Sequence, residues 1–397
     1  MRTSTAVMSE NAVASILAQQ TRLARTQTEI ATGKRVQTPA DDPAAATHIL
    51  TLRRSLLEDQ QFASNASAAT NRLSFEEQAL ADAGNALQRL QELAVQANGG
   101  TLDQSTRTML AREMRARAGE LLDIANRQDA NGEYVFAGLR SQSQPFARGA
   151  TDVQYFGDAG TRALQVSTTQ RVTDGHSGYE AFMDLRGGNG TFVTAAAASN
   201  TGAAWVDTGT VVDRAAWVPD SYTVQFTGPA SYEVRDGANA LVSSGAYVSG
   251  SAIEFRGIRI SVSGNAAAGD SFAVGSAPRQ DVFETLDRLI ATVESGSQTP
   301  AERAQFVTAM GRSINDLARA NDHLLGIRAE VGARLSTLDN AESSRADAKL
   351  ELEKTLSELQ DVDYAEAVSR MNLQLAGLQA AQQSYARIAQ LSLFDYL

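Results

Sequence analysis

Two long arms without proline are the feature that most restricts the fold of this 397-residue chain. No proline lies between Pro43 and Pro145, and none follows Pro300. Proline interrupts a helix because it lacks a backbone N–H and clashes with the preceding turn. The middle segment, residues 141–279, differs in composition, since it holds 18 of the 30 glycines and 14 of the 24 aromatic residues. The sequence therefore predicts two helical arms around a middle of a different fold.

Apolar residues recur every seven positions in both arms, which is the spacing of a stripe that a helix buries against partner helices. The first long helix is predicted to start with Thr38 as its capping residue and Pro39 in its first turn. Thr299 and Glu302 have capping-box spacing at the start of the last arm. We therefore predict a long antiparallel helical bundle. Its stripes are Leu73, Leu80, Leu87 and Ala94 in the first arm, and Leu317, Leu324, Val331 and Leu338 in the last arm.

A second pair of apolar stripes lies near the two ends of the chain. An isolated short helix is only marginally stable in water, so each stripe requires a partner helix. We predict that the two ends pair into a coiled coil, that this coil is an assembly interface, and that both ends are disordered in the free monomer until assembly orders them. The predicted interface residues are Ile16, Leu23 and Ile30 near the start, and Val368, Met371, Leu375, Leu378, Gln382 and Tyr385 near the end.

Alternation of apolar and polar residues predicts β-strands in the middle segment. The pattern is visible in SYTVQF (221–226), SYEVR (231–235) and IEFRGIRISV (253–262), which lie between glycine, aspartate and asparagine residues. The predicted fold class is mainly α with an inserted β domain. The two arms pair into a coiled coil and a long antiparallel helical bundle, and an all-β outer domain is inserted between them.

These patterns divide the chain into three predicted domains. Residues 1–40 and 358–397 form the terminal coiled coil, which is the inner assembly domain. Residues 41–140 and 280–357 form a helical bundle rod with a small hairpin. Residues 141–279 form the outer β domain. A chain of this length can bury more than one core, which agrees with such a division.

The residues that most enzymes and metal sites use are scarce. Cysteine is absent, and the three histidines, His48, His176 and His323, lie far apart and outside any metal-ligand spacing. The GHSG sequence around Ser177 lacks the five-residue form and the strand–turn–helix setting of a nucleophile elbow. We therefore expect no catalytic residue, no metal and no cofactor, in a protein that is not an enzyme.

Charge and hydropathy restrict the partners. The formal net charge is −11 at pH 7 and there is no block of basic residues, so we expect no nucleic-acid partner. No apolar window of 18 residues is present, so we expect no membrane span and no membrane partner. The first residues lack the basic stretch and long apolar run of a cleavable signal peptide, and we expect any export to proceed without one.

Three stretches of the arms resemble the flagellin superfamily. TQTEIATGKRVQTPADDPAAATHI (26–49) is similar to its amino-terminal signature, ALQRLQELAVQANGGT (86–101) to its rod-like bundle, and residues 361–397 to its carboxy-terminal helix. ANGEYVFAG (130–138) and the ending SLFDYL (392–397) resemble the hook–filament junction proteins, the third hook-associated proteins, more than the flagellins. The middle segment carries no motif that we can match.

The resemblance implies a structural subunit of the bacterial flagellum that joins the hook to the filament. It implies a homo-oligomeric ring built through the terminal coiled coil, with the first hook-associated protein on the hook side and flagellin on the filament side. It also implies a cytoplasmic export chaperone that covers the carboxy-terminal stripe, and a final location outside the cell at the hook–filament junction. The β domain is expected to project outward.

Three other functions stay open on the sequence alone. The chain could be a flagellin, which copy number per flagellum would distinguish, or an enzyme displayed on the filament with its site in the middle segment. It could also be an adhesin whose β domain binds a host ligand through Trp205, Trp217 and Tyr247, although aromatic residues in such domains are more often core. The number of subunits in a ring, the strand order and the faces that meet neighbours are not determined by the sequence.

Overall fold

The helices follow the proline-free arms. The computed structural model describes residues 5–99, 102–150, 152–295 and 299–394, and the side chains of residues 7 to 387 within these ranges. Helices make up more than half of this part of the chain, and the predicted fold class, mainly α with an inserted β domain, is confirmed. The helices are α1 (Thr5–Thr32), α2 (Pro43–Ala97), α3 (Gln104–Ala125), α4 (Val282–Ser295), α5 (Pro300–Gln360) and α6 (Tyr364–Phe394).

The strands lie between α3 and α4, almost entirely inside the middle segment. A short π-helix, Tyr179–Met183, interrupts them. The first eight are β1 (Phe146–Arg148), β2 (Val153–Tyr155), β3 (Ala163–Gln165), β4 (Arg171–Thr173), β5 (Leu185–Arg186), β6 (Phe192–Ala196), β7 (Trp205–Val206) and β8 (Thr210–Val211). The others are β9 (Tyr222–Gly228), β10 (Ser231–Arg235), β11 (Leu241–Ala246), β12 (Ala252–Phe255), β13 (Ile258–Ser263), β14 (Ser271–Ser276) and β15 (Arg279–Gln280).

Two antiparallel sheets form the inserted β domain. One has the strand order β11-β10-β9-β14-β6, and the other has the order β12-β13-β7 with β8 also paired to β13. The alternation read from the sequence sets which side chains face inward, since Tyr222, Val224 and Phe226 of β9 are buried and the residues between them are exposed. Ile260 of β13 and Phe272 of β14 belong to the same core, so the two sheets pack face to face.

The earlier part of the middle segment packs differently, around aromatic rings. The ring of Phe146 lies 5.7 Å from that of Phe182 and 5.6 Å from that of Phe283 in α4. Phe136, which precedes the middle segment, lies 5.1 Å from Phe182 in an edge-to-face arrangement. These four side chains are almost fully buried. They bind residues 136–182 to α4, whereas the two-sheet core begins at Phe192.

The heptad stripes form the core of the long helices, as predicted. All eight stripe residues, from Leu73 to Ala94 in α2 and from Leu317 to Leu338 in α5, are at most 2% exposed. The capping box of α5 is also confirmed, because the backbone N–H of Thr299 donates to Glu302 and that of Glu302 donates to the Thr299 hydroxyl. The predicted start of α2 at Thr38 and Pro39 is wrong. The helix begins at Pro43, because Asp42 caps it by accepting from the backbone N–H of Ala45.

Helix α5 holds the middle segment through polar side chains that bond to its backbone. Asn315 donates to the carbonyl of Gly188 at 2.6 Å, and Asp316 accepts from the N–H of the same residue. Gly188 has φ +59°, and a Cβ there would collide with the carbonyl oxygen of Phe192. Further along α5, His323 lies 2.7 Å from the carbonyl of Glu180. Such bonds satisfy loop backbone groups that would otherwise be buried without partners.

The chain forms two compact units. One consists of residues 1–64 and 340–397, and the other of residues 65–339. Helices α2 and α5 contribute to both units, so the boundaries fall inside these helices. The division into three domains at residues 40, 140, 279 and 357 stays a prediction.

Candidate assembly interface

The two terminal helices of the first unit pack against each other. The turn after α1 and the short segment between α5 and α6 fix where α1 and α6 meet. Lys34 of the turn and Asp361 of the segment form an isolated antiparallel bridge. The N–H of Arg35 donates to the carbonyl of Gln360 at 2.7 Å, and the N–H of Val362 donates to that of Gly33 at 3.0 Å. These bonds lie between the end of α1 and the start of α6, and they hold the two helices in antiparallel register.

Gly33 is required by this turn. Its φ is +69°, a left-handed conformation that residues with a Cβ rarely adopt. A Cβ at this position would also lie 2.9 Å from the hydroxyl oxygen of Tyr364 in α6. This turn, which lies within the stretch 26–49 that resembles the flagellin amino-terminal signature, therefore has a specific structural role.

A small apolar core lies beside the turn. Val36, Ala45 and Ile49 are buried, and Leu356 and Leu359 of α5 pack against them. The guanidinium of Arg35 donates to the carbonyl of Leu359 at 2.8 Å. This cluster holds the turn against α2 and α5 within the same unit.

Asp41 organises the approach to α2. The backbone N–H and the hydroxyl of Thr38 donate to its carboxylate, as does the backbone N–H of Gln37. These bonds, with a smaller contribution from the charge of Arg25, lower the pKa of Asp41. The residue that the sequence suggested as a helix cap, Thr38, is thus a donor to Asp41 in the preceding turn.

The three predicted interface residues of α1 face α6 to different degrees. Leu23 is buried, and Ile16 and Ile30 are half-buried. Sequence reasoning missed Thr26 and Glu29, which are also buried on this face. Glu29 forms ion pairs with Arg370 of α6 at 3.1 Å and with Arg25 at 3.2 Å. The four-residue spacing of Arg25 and Glu29 was a detectable signal for the second of these pairs.

The six predicted residues of α6 divide into two groups. Met371, Leu375, Leu378 and Tyr385 are half-buried, whereas Val368 and Gln382 are exposed. Ala367, next to Val368, is fully buried. Counting large apolar side chains at heptad spacing does not detect a buried alanine.

Polar groups interrupt the face between α1 and α6. A Cβ on Gly377 would lie 2.5 Å from the side-chain nitrogen of Gln19, so the two helices are close at this level. The buried side-chain oxygen of Gln374 has no hydrogen-bond partner among the described residues. The hydroxyl oxygens of Ser9 and Tyr385 lie 3.5 Å apart, at the limit of a hydrogen bond. The pairing therefore buries a mixed surface.

A second apolar set on these helices is exposed. Val13 and Leu17 of α1 are 41% and 57% exposed, and Val368 and Leu373 of α6 are 41% and 72% exposed. Val13 and Leu17 are four residues apart and share one face of α1, and we call these two side chains the outer stripe. Val368 and Leu373 are five residues apart and lie on different faces of α6.

No catalytic or metal constellation lies in the described ranges. No group of three His, Asp or Glu side chains there could hold a metal ion. His48 is exposed on α2, His323 bonds to a backbone carbonyl, and His176 lies against Glu76. Within the same ranges, no helix has both the length and the hydropathy needed to cross a lipid bilayer.

The comparisons with known proteins agree with this architecture. Residues 3–141 match the bacterial flagellin N-terminal helical region, and residues 314–397 match the bacterial flagellin C-terminal helical region. Flagellar hook-associated protein 3 of Escherichia coli (strain K12) is 25% identical over the whole of this chain and 99% of its own length. The crystal structure of Xanthomonas campestris FlgL is 38% identical with a TM-score of 0.73, over 77% of this chain and 99% of that one.

The chain belongs to the FlgL family, flagellar hook-associated protein 3. The flagellar junction protein FlgL from Legionella pneumophila, 31% identical with a TM-score of 0.73, supports the same assignment over 79% of this chain and all of that one. The resemblance to hook–filament junction proteins read from the sequence is confirmed. The flagellin alternative is not favoured, because the full-length relatives are hook-associated proteins.

The comparisons also account for the middle segment, where the sequence resemblance found no motif. Residues 195–276 match the D2-like domain of flagellar hook-associated protein 1. In this FlgL-family chain, Tyr247 is buried and its hydroxyl donates to the carbonyl of Gly264. Trp217 packs 5.7 Å from Phe192 and 5.8 Å from Tyr222. These aromatic side chains belong to the packing of the β domain.

Proposed function

We propose that this protein is a structural adaptor that joins the hook of the bacterial flagellum to the filament. In this proposal many copies assemble into a ring through α1 and α6. The observation that carries it is the outer stripe, two exposed apolar side chains on one face of α1, the helix that packs against α6. A second surface is then needed to cover that stripe, and a neighbouring copy supplies one.

Energetics support folding that is linked to assembly. Ordering the backbone costs about 1–2 kcal/mol per residue. Against this cost, the described side chains of α1 and α6 include few buried apolar residues, Leu23 and Ala367, and two buried polar ones, Thr26 and Glu29. Burying an exposed Leu or Val side chain contributes roughly 1.5–3 kcal/mol. Covering the outer stripe in a ring would thus supply burial that one chain lacks.

The proposal includes the partners that the resemblance implied. The first hook-associated protein would lie on the hook side and flagellin on the filament side, and an export chaperone would cover α6 in the cytoplasm. The three-domain division would give these contacts an inner coil, a bundle rod and an outward β domain. The solved Legionella relative carries the description of a flagellar junction protein, which supports the assignment.

In this proposal the protein performs no reaction. Joining two tubes requires complementary packing between subunits, and packing needs neither a nucleophile nor a bound metal. The family to which the chain belongs is structural, which favours this interpretation over a displayed enzyme.

Replacing one outer-stripe residue tests the proposal. Leu17→Glu would place a charge on the proposed subunit contact. Leu139→Glu is the control, because Leu139 is 61% exposed, close to the 57% of Leu17, and lies in the other unit. Each variant is expressed in a strain that lacks the protein. We expect both variants in the culture medium, but only Leu139→Glu in sheared flagella and with swimming restored.

Incorporation of Leu17→Glu at the level of the control would contradict ring assembly through this stripe.

Copy number decides between the junction role and a filament role. We expect the amount in purified flagella to match other junction components. An amount close to that of the main filament subunit would overturn the proposal.

A further inference from the structure

His176 is buried between two carboxylates from different helices. Its ring is 1% exposed, and Nδ1 lies 2.7 Å from Oε1 of Glu76 in α2. On the other side of the ring, Nε2 lies 3.3 Å from Oε2 of Glu330 in α5. The backbone N–H of His176 also donates to Oε1 of Glu76, at 3.1 Å. The histidine therefore connects the loop after β4 to both long helices of its unit.

This geometry is suited to the charged form of the imidazole. A carboxylate accepts hydrogen bonds, and a neutral imidazole has a single N–H to donate. Both ring nitrogens of His176 face carboxylates, so both contacts are satisfied together only when each nitrogen carries a proton. Bonds between an imidazolium and a carboxylate are stronger than neutral ones because the charges attract.

Glu76 depends on His176 for its hydrogen bonds. Its side chain is 0% exposed, and its second oxygen, Oε2, has no hydrogen-bond partner among the described residues. Removing the positive charge from a buried ion pair leaves a carboxylate that is far from water and poorly compensated. Deprotonation of His176 therefore leaves one ring N–H for two carboxylates and removes the positive charge that compensates Glu76.

The other charged groups around the ring come from all the packed elements. Arg334 of α5 lies next to Glu330 and reaches the carbonyl of Gly175. Arg72 of α2 bonds to Glu133, in the segment that follows α3, and lies near Asp129 of the same segment. Two further ion pairs lie on the same elements, Arg162 with Asp174 of the loop and Arg328 of α5 with Glu77 of α2.

The balance of these groups favours the imidazolium. Burial lowers the pKa of His176, but the hydrogen bond and negative charge of Glu76 raise it. Arg334 lowers the pKa and the bond to Glu330 raises it, and the net result lies above the ordinary histidine value of 6.5. When the pKa of a histidine is higher in the folded state than in the unfolded state, its protonation stabilises the fold fully at pH values below the unfolded-state pKa. This stabilisation is lost as the pH rises through the folded-state pKa.

We propose that the loop of residues 174–177 is a proton-dependent clasp, which fastens the middle segment to α2 and α5 in mildly acidic solution and loosens in alkaline solution. In this clasp the imidazolium of His176 donates hydrogen bonds to the carboxylates of Glu76 and Glu330. The clasp acts inside one unit of a single chain, so it does not rest on ring assembly.

The three histidines of the chain allow an internal comparison by NMR. His48 is exposed on α2, and Nε2 of His323 lies 2.7 Å from a backbone carbonyl, so neither faces a carboxylate in the way His176 does. The ring Cε1–H signals of the purified protein are followed from pH 5 to pH 10. We expect the signal of His176, whose ring lies between two carboxylates, to titrate above the ordinary histidine value of 6.5. A midpoint at or below 6.5 would overturn the proposal.

Hydrogen exchange then tests what the proton does. Wild type and His176→Gln are compared at the same pH, so that the chemical dependence of exchange on pH cancels. We expect the variant to lose protection in residues 174–178 at pH 6, and to differ far less from wild type at pH 9. His323→Gln is the matched control, and it should leave the protection of residues 174–178 unchanged, because His323 contacts the carbonyl of Glu180. An equal effect of His176→Gln at both pH values would show a purely structural role and contradict the clasp.

A second variant keeps the test decisive if His176→Gln does not fold. The Glu330 side chain is 62% exposed, so Glu330→Gln removes one charge from the clasp without disturbing a core position. We expect the His176 midpoint to move to lower pH in this variant. An unchanged midpoint would remove Glu330 from the clasp and contradict the proposal as stated.

Discussion

Lys34 and Asp361, which come from opposite arms of the chain, form an isolated antiparallel β-bridge. Next to this bridge, the left-handed Gly33 accepts a hydrogen bond from the N–H of Val362 at 3.0 Å. The bridge fixes the register of α1 against α6, because the helices leave it in opposite directions along the chain. Two of the stretches that resemble the flagellin superfamily, 26–49 and 361–397, therefore meet at this bridge.

A methyl group at Gly33 should weaken this joint. We expect Gly33→Ala to destabilise the pairing of α1 and α6 by about 1–2 kcal/mol, because a left-handed conformation disfavours a Cβ and the Tyr364 hydroxyl is in its way. Urea unfolding and limited proteolysis of the terminal helices measure this. Gly326→Ala, on α5 with nothing within 4 Å of its Cβ, should instead stabilise the protein slightly. Equal behaviour of the two variants would show that the turn tolerates substitution.

Asp41 should make the stability of the first unit depend on pH in acidic solution. Its pKa is lowered by the bonds from Thr38 and Gln37, so its contribution is present above the unfolded pKa and is lost as the pH falls through the folded value. We expect Asp41→Asn to lower Tm at pH 7, and the difference from wild type to vanish well below the ordinary carboxyl value of 3.8. Asp347→Asn, on an exposed position of α5, should leave the profile unchanged.

The aromatic cluster should be a major source of stability in the second unit. Phe182→Ala removes a buried ring that contacts Phe136, Phe146 and Phe283, and we expect a loss of about 3–5 kcal/mol in the free energy of unfolding. The control is Phe156→Ala, because Phe156 is 51% exposed and should cost far less. Thermal and urea unfolding compare the two. A small effect of Phe182→Ala would mean that residues 136–182 are not bound to α4 in solution.

The same cluster decides where the β domain can be removed. Phe192 and Ser276 are cross-strand partners in β6 and β14, so a short glycine–serine turn can replace residues 193–275. We expect the helical far-ultraviolet signal to persist after this replacement. Removal of the whole middle segment, residues 141–279, should be more damaging because it uncovers Phe136 and Phe283. Equal loss of helix in both variants would show that the arms depend on the β domain.

The capping box at the start of α5 offers a test of local stability. The Thr299 hydroxyl accepts from the backbone N–H of Glu302 at 3.2 Å. We expect Thr299→Ala to cost about 1 kcal/mol in the free energy of unfolding, since one backbone donor of the first turn loses its acceptor. Thr337→Ala is the matched control, because its hydroxyl bonds to Ala333 within the same helix and caps nothing. A larger loss in the control than in Thr299→Ala would contradict the role of the cap.

The sequence by itself determined the helices, their core stripes and the alternation of the strands. These features follow from local rules, since Leu73, Leu80 and Leu87 share one helix face through chain geometry alone, and Tyr222, Val224 and Phe226 share one strand face in the same way. The start of α2 was misplaced because Thr38 and Asp42 lie close together and both can cap a helix. Only the backbone path decided that Asp42 does so.

Only the tertiary structure decided which distant residues meet. In α6, Ala367 is buried and Val368 is exposed, because the rotation of a helix about its own axis is set by the elements packed against it and not by its heptad count. Glu76 and His176 lie 100 positions apart, and their contact exists because the loop after β4 returns to α2. Contacts between distant segments depend on how whole elements pack, and no local period in the sequence encodes them.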